Sequence, residues 1–224
     1  DLIQYFKGKK CVDFGSGNGS FSFALLERGA KSVHGIDFGK DQVSRAVEAS
    51  KHRKVADVSN FEVGNVLKTD FKEDSFDFAL SNAVFHHLAT KEDMQTAIYE
   101  VSRVLRKGSY FWYFVHGSGA IGMDLWDATV DCLSEVSVDY MKDLIKFMNP
   151  GRGKDTYIID LLTATYLHST YEETEAMLSN AGFSIVKRLS GADSTSYDLD
   201  RVKEDPFGEI KFGTGELRLL CRLD

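Results

Sequence analysis

The run Cys11-Val12-Asp13-Phe14-Gly15-Ser16-Gly17-Asn18-Gly19-Ser20-Phe21 constrains this chain more than any other. It reads as a buried strand, a sharp glycine turn and the start of a helix. Glycines at 15, 17 and 19 let the backbone take positive φ and approach a ligand closely. The helix that follows offers unpaired N–H groups and a partial positive charge to whatever sits in the turn. This is a cradle for a nucleotide-type ligand. Its spacing is G-x-G-x-G, not the G-x-G-x-x-G that holds a dinucleotide pyrophosphate. Asp13 stands two residues before the first glycine. A carboxylate there would repel a pyrophosphate and suits a cationic amino-acid ligand.

A second strand, Lys31-Ser32-Val33-His34-Gly35-Ile36-Asp37, ends in an acid about two dozen residues past the turn. An acid at such a strand tip can accept both ribose hydroxyls. Phe61-Glu62-Val63-Gly64-Asn65-Val66 ends a third strand, and Phe76-Asp77-Phe78-Ala79-Leu80-Ser81-Asn82-Ala83 forms a fourth. Strands are expected at 10–15, 32–37, 58–63, 76–81 and 109–115, and helices at 19–28, 40–53 and 92–105. Alternation of the two implies a mostly parallel sheet. Met94, Ala97, Ile98, Val101 and Leu105 recur at helical spacing and mark one core-facing stripe. Phe111-Trp112-Tyr113-Phe114-Val115 is continuously apolar and reads as a strand buried on both faces.

These pieces resemble the class I S-adenosylmethionine (SAM)-dependent methyltransferases. Val12 to Gly19, Gly35-Ile36-Asp37, Gly64-Asn65-Val66, Ser75 to Ala79, His86-His87-Leu88 and Val104 to Gly108 arrive in that family's order over the first half of the chain. Tyr171 to Phe183 resembles the late helix ending in Ala-Gly-Phe of the small-molecule, ubiquinone-biosynthesis-like branch. The resemblance implies a Rossmann-like, mostly parallel seven-stranded α/β sheet flanked by helices, with an antiparallel last strand and a helical insert after the fifth. It implies SAM as cofactor and S-adenosylhomocysteine as product. The cofactor would be held by Asp13, Gly15, Ser16, Gly17, Gly19, Asp37, Phe38, Gln42, Asn65, Val66, Ser81 and Asn82. Asn65 stands where relatives often carry Asp, and its amide oxygen can accept the same hydrogen bond.

Composition narrows the classes. A chain of 224 residues fits one domain, 1–224, with an elaboration. A net charge of −7 and an isoelectric point near 5.4 lack the basic footprint of a nucleic-acid binder. Three scattered cysteines have no metal-ligand spacing and suit a reducing, cytoplasmic compartment. No apolar run is long enough to span a membrane. The chain opens on Asp1, not Met, which suggests a trimmed or processed product or an excised domain, and whether an N-terminal lid helix precedes it stays open.

After Val115 the alternation breaks. An insert, about 117–169, begins with Gly117, Gly119 and Gly122, a lead that could hinge, and continues as a helical stretch near 124–148. It falls on the edge where a substrate lid belongs. Within it, Trp126, Arg152, Lys154 and Tyr157 are candidate acceptor-binding residues. Four histidines, His86, His87, His116 and His168, are candidate proton-carrying or substrate-touching groups, without the tight spacing of a metal site. Thr170-Tyr171-Glu172-Glu173 scans as a capping box opening a late helix.

The sequence therefore reads as a SAM-dependent methyltransferase acting on an O, N or C nucleophile of a small molecule. The competing readings are a protein or RNA methyltransferase with the same cofactor site, and a catalytically silent SAM-binding scaffold. A nicotinamide dehydrogenase is disfavoured by the glycine spacing and by Asp13. Acceptor, pathway and oligomeric state stay open.

Overall fold

The computed structural model describes residues 2–148, 162, 166–189 and 203–224. Strand β1 (Lys10–Phe14) lies third in a seven-stranded sheet of order β3-β2-β1-β4-β5-β7-β6. The other strands are β2 (Ser32–Asp37), β3 (Ser59–Val63), β4 (Phe76–Asn82), β5 (Leu105–Val115), β6 (Phe183–Arg188) and β7 (Leu217–Leu223). Strands β1 to β5 run parallel, while β7 is antiparallel to both β5 and β6. Strand order reverses between β1 and β4, so the carboxyl ends of these two strands splay apart and open a crevice.

Helix α1 (Ile3–Phe6) precedes β1, while α2 (Ser20–Glu27), α3 (Lys40–His52) and α4 (Lys91–Val104) follow β1, β2 and β4. Thr90 caps α4 by accepting the Asp93 N–H, and Met94, Ala97, Ile98, Val101 and Val104 form its fully buried stripe. Leu105, expected as the last helical residue, instead begins β5 without a connecting loop. Helix α7 (Tyr171–Asn180) opens on the expected capping box: Thr170 accepts the Glu173 N–H while Glu173 reaches back to the Thr170 N–H. Cys11 and Cys221 are both buried in the core.

Three expectations need correction. Strand β5 is not buried evenly: Phe111, Tyr113 and Val115 are fully covered, while Tyr110, Trp112 and Phe114 between them stay half-exposed. The stretch near 124–148 is two helices, α5 (Ile121–Leu133) and α6 (Val138–Met148), because the Ser137 hydroxyl accepts the Tyr140 N–H and starts a new helix. The glycine lead is no free hinge. A Cβ at Gly117 would collide with the Gly215 carbonyl, and one at Gly213 with the backbone of Ser118 to Ala120. The two glycine-bearing turns are pressed backbone to backbone, with the short helix α8 (Gly208–Phe212) leading into the second. Among the described residues, no helix is long and apolar enough to cross a membrane.

Candidate active site

The crevice floor is the glycine turn. Gly15 and Ser16 both donate their N–H to the Ile36 carbonyl, at 2.8 and 2.9 Å, so the turn is tied to β2. Gly15 (φ 80°) is demanded by the protein's own packing, since a Cβ there would collide with the Val84 methyls. Gly17 (φ 52°) differs: nothing lies within 4 Å of where its Cβ would be. Gly19 (φ 84°) caps α2. The open space over Gly17, with its left-handed backbone, is where a ligand can approach the chain closely.

Two acids frame this space. Asp37 accepts the Gly17 N–H through Oδ2 and the Gly39 N–H through Oδ1, each at 2.8 Å. Asp13 is buried beneath the turn and accepts the Ser22 hydroxyl at 2.6 Å. Burial pushes its carboxyl up to about 7, opposed by the Ser22 hydrogen bond and helped by the nearby Asp37 charge. Asp13 thus stores a destabilised charge just under the cradle, and a cation above it would relieve that cost. Two further polar atoms await partners: the hydroxyls of Ser16 and Ser81 are buried without one.

The other expected contacts are dispersed around the rim. Phe38 is 87% exposed, directly after Asp37, and Gln42 is exposed on the first turn of α3. Asn65 is exposed, and its side-chain oxygen already accepts the Leu67 N–H at 2.9 Å, while Val66 beside it is buried. Asn82 faces away from Ser81, as neighbours on a strand must. Its side-chain oxygen accepts the Trp112 indole N–H at 3.1 Å, beside an apolar cleft of about 400 Å³ between α1, α2 and the sheet.

Beyond the end of β4 the structure gathers all four candidate histidines. A single 3-10 turn, Phe85–His87, places His86 and His87 next to the end of β5, where His116 lies. The His86 and His116 rings stack at 4.5 Å and 18°. Tyr166 touches the whole group, at 4.7 Å from His87, 5.5 Å from His86, 5.9 Å from His116 and 6.3 Å from His168. Two acids absent from the sequence expectations complete it. Glu216 Oε1 lies 3.0 Å from His116 Nδ1, and Asp127 Oδ2 lies 3.3 Å from His168 Nε2. The second contact is not a hydrogen bond, because its alignment does not make one. Trp126 is half-buried on α5, one residue before Asp127. Arg152, Lys154 and Tyr157 lie outside the described residues.

This group is partly covered by a chain segment held from three sides. Leu167 donates its N–H to the His86 carbonyl at 2.7 Å and Ser118, itself tied to Thr214, donates to the Ser169 carbonyl at 3.0 Å. The Lys91 ammonium adds bonds to the His168 carbonyl and the Ser169 hydroxyl. Among the described residues no set of three His, Cys, Asp or Glu side chains is arranged for a metal ion.

The methyltransferase-domain family matches residues 12–113, the span from the middle of β1 to the middle of β5. Residues 12–113 carry the methyltransferase domain of that family. The chain is 33% identical over 111 residues to 24-methylenesterol C-methyltransferase 3 of Arabidopsis thaliana, covering 50% of this chain and 30% of that protein. It is 30% identical over 104 residues to the demethylmenaquinone methyltransferase of a Geobacillus strain, covering 46% of this chain and 43% of that one. The chain thus spans less than half the length of these curated relatives. The fold is shared throughout. A geranyl diphosphate methyltransferase solved with SAM superposes with a TM-score of 0.65 at 13% identity, covering 100% of this chain and 83% of the other. A methyltransferase structure from Methanosarcina mazei gives 0.64 at 20% identity, covering 99% and 95%. The cradle fits SAM on its own chemistry: open space over Gly17, unpartnered serine hydroxyls and two framing acids.

Proposed function

We propose that this methyltransferase transfers a methyl group to an O, N or C nucleophile of a small-molecule acceptor. Bound SAM supplies a methyl already activated on a sulfonium. The protein's task is then to align the acceptor and exclude water. Asp37 would accept the ribose hydroxyls, Ser16 and Gly17 would line the amino-acid portion, and Asp13 would balance its positive charge from below. Val66 would offer its backbone N–H to the adenine.

The observation that carries the small-molecule reading is this partial cover. The segment Tyr166–Ser169 is stapled to both the His86 turn and the loop after β5. It lays Tyr166 over His86 and His116 beside the cradle while His87 stays exposed, a partly covered site that favours a small acceptor over a macromolecule. The net charge of −7 supports the same reading against RNA.

The test is transfer from methyl-tritiated SAM in a cell extract, followed by separation into metabolite, protein and RNA fractions. Label in the metabolite fraction is expected. Label in protein or RNA supports the macromolecular alternative, and SAM binding without any transfer supports a silent scaffold.

A further inference from the structure

The four histidines are not equivalent, and their partners sort them. His86 is buried, and burial with the neighbouring His116 pushes its imidazole down to about 2, so the ring stays neutral. Its Nδ1 accepts the His116 backbone N–H at 3.2 Å, so the proton of the neutral ring sits on Nε2. That Nε2–H donates to His87 Nε2 at 3.2 Å. Both nitrogens of His86 are committed, and it carries no proton in or out. His168 is largely covered, and its ring meets Asp127 out of line.

His116 has a different environment. Its Nδ1 faces Glu216 Oε1 at 3.0 Å, and the Glu216 side chain is 9% exposed, whereas the His116 ring is 29% exposed. The other carboxylate oxygen of Glu216 lies 3.6 Å from the Arg218 guanidinium. A carboxylate accepts and does not donate, so Nδ1 of a neutral His116 bears the hydrogen. Its Nε2 then carries the lone pair. The ring is anchored at one nitrogen, basic at the other and reachable.

We propose that His116 is the general base for an acceptor whose attacking atom arrives carrying a proton, and that Glu216 is the positioning residue that fixes its tautomer. The inference rests on the methyl-transfer reading above. In the step, the acceptor atom forms its bond to the methyl carbon and gives its proton to His116 Nε2. The carbon–sulfur bond breaks with its electron pair left on sulfur, which yields S-adenosylhomocysteine. The imidazolium is stabilised by Glu216 and returns its proton to solvent. Neutral His86, stacked at 4.5 Å, is the partner such a cycle requires. A second imidazolium at that distance would oppose the charge formed on His116. The substrate class follows: a hydroxyl or a carbon acid, not a tertiary amine or a thioether, which needs no base.

Two readouts test this. Long-range ¹H–¹⁵N NMR of the wild-type protein should show His116 as the Nδ1–H tautomer. E216Q, whose amide oxygen can still accept, should keep that tautomer, and E216A should lose it. A wild-type Nε2–H tautomer overturns the proposal. In the extract assay, H116Q should bind SAM as the wild type does but transfer label roughly 10²- to 10⁴-fold more slowly, the range of general-base catalysis. Label from the wild type should lie on an atom that bore a proton. An equal rate in H116Q, a loss of SAM binding in H116Q, or label on a tertiary amine or thioether overturns this inference alone. Absence of wild-type label from the metabolite fraction overturns the small-molecule reading and, with it, this inference.

Discussion

Asp37 grips the backbone of Gly17 across the crevice, accepting its N–H at 2.8 Å from the tip of the neighbouring strand. The same carboxylate holds Gly39 with its other oxygen, so one side chain fixes the backbone on both sides of the proposed ribose site. Each carboxylate oxygen retains a further lone pair for a ligand hydroxyl. Asp37→Asn puts an amide N–H against one of these backbone N–H groups. It should weaken SAM binding by about 1.5–3 kcal/mol, the scale of hydrogen bonds to a charged group. Titration calorimetry reads this directly. Unchanged affinity would remove Asp37 from the ribose site.

The glycines of the turn separate into those the fold needs and those the ligand needs. Gly15→Ala drives a Cβ into the Val84 methyls and should cost stability, about 1–3 kcal/mol for an overpacked site. Gly17→Ala meets no protein atom within 4 Å and should cost only about 1–2 kcal/mol of left-handed backbone strain. Its larger effect should be on SAM affinity. Urea denaturation and SAM titration on both variants check the split, and equal losses of affinity per unit of stability would contradict it.

Asp13 couples the cradle to pH. Its carboxyl lies near 7 in the folded protein against the usual 3.8, so the native state holds a proton that the unfolded chain has released between those values. Its contribution to stability is therefore present below about pH 4 and is lost as pH rises towards 7. SAM binding has the opposite sense, because a cationic ligand favours the ionised carboxylate. Affinity should fall as pH drops from 8 to 6, by at most about tenfold per unit below 7. Asp13→Asn should flatten both dependences.

His86 acts in the reverse direction. An unfolded histidine takes up a proton near pH 6.5, and the buried ring does not. The native state is penalised as pH falls below 6.5, by up to about 1.4 kcal/mol per unit. From pH 6.5 to 5 the wild type should lose roughly 2 kcal/mol more than His86→Gln from this source. Urea curves at the two pH values measure the difference, and parallel losses would show that His86 is protonated in place.

The parts of the site legible in the sequence are those written in contiguous residues. The strand, turn and helix at Cys11 to Phe21, Asp37 at a strand tip and the Thr170 capping box each carry their own local signal. The histidine group was legible only as candidates. What selects His116 is Glu216, one hundred positions away, and no local pattern announces that pairing. Tyr166 and Asp127 were missed for the same reason. A charged residue opening the apolar run Leu217–Leu223 was the one available hint for Glu216. The glycine lead after β5 looked like a hinge because its partner turn at Gly213 and Gly215 is distant in sequence. The break between α5 and α6 was visible in principle, since Ser137 sits as a helix cap before Tyr140.

The cradle's assignment to SAM is tested most directly by calorimetric titration of the purified protein with SAM, beside Gly17→Val. The account predicts saturable one-site binding to the wild type and none to the variant, which should still unfold cooperatively, because its β-branched side chain occupies the open space over the turn. Absence of binding to the wild type, or equal binding to both, would contradict it.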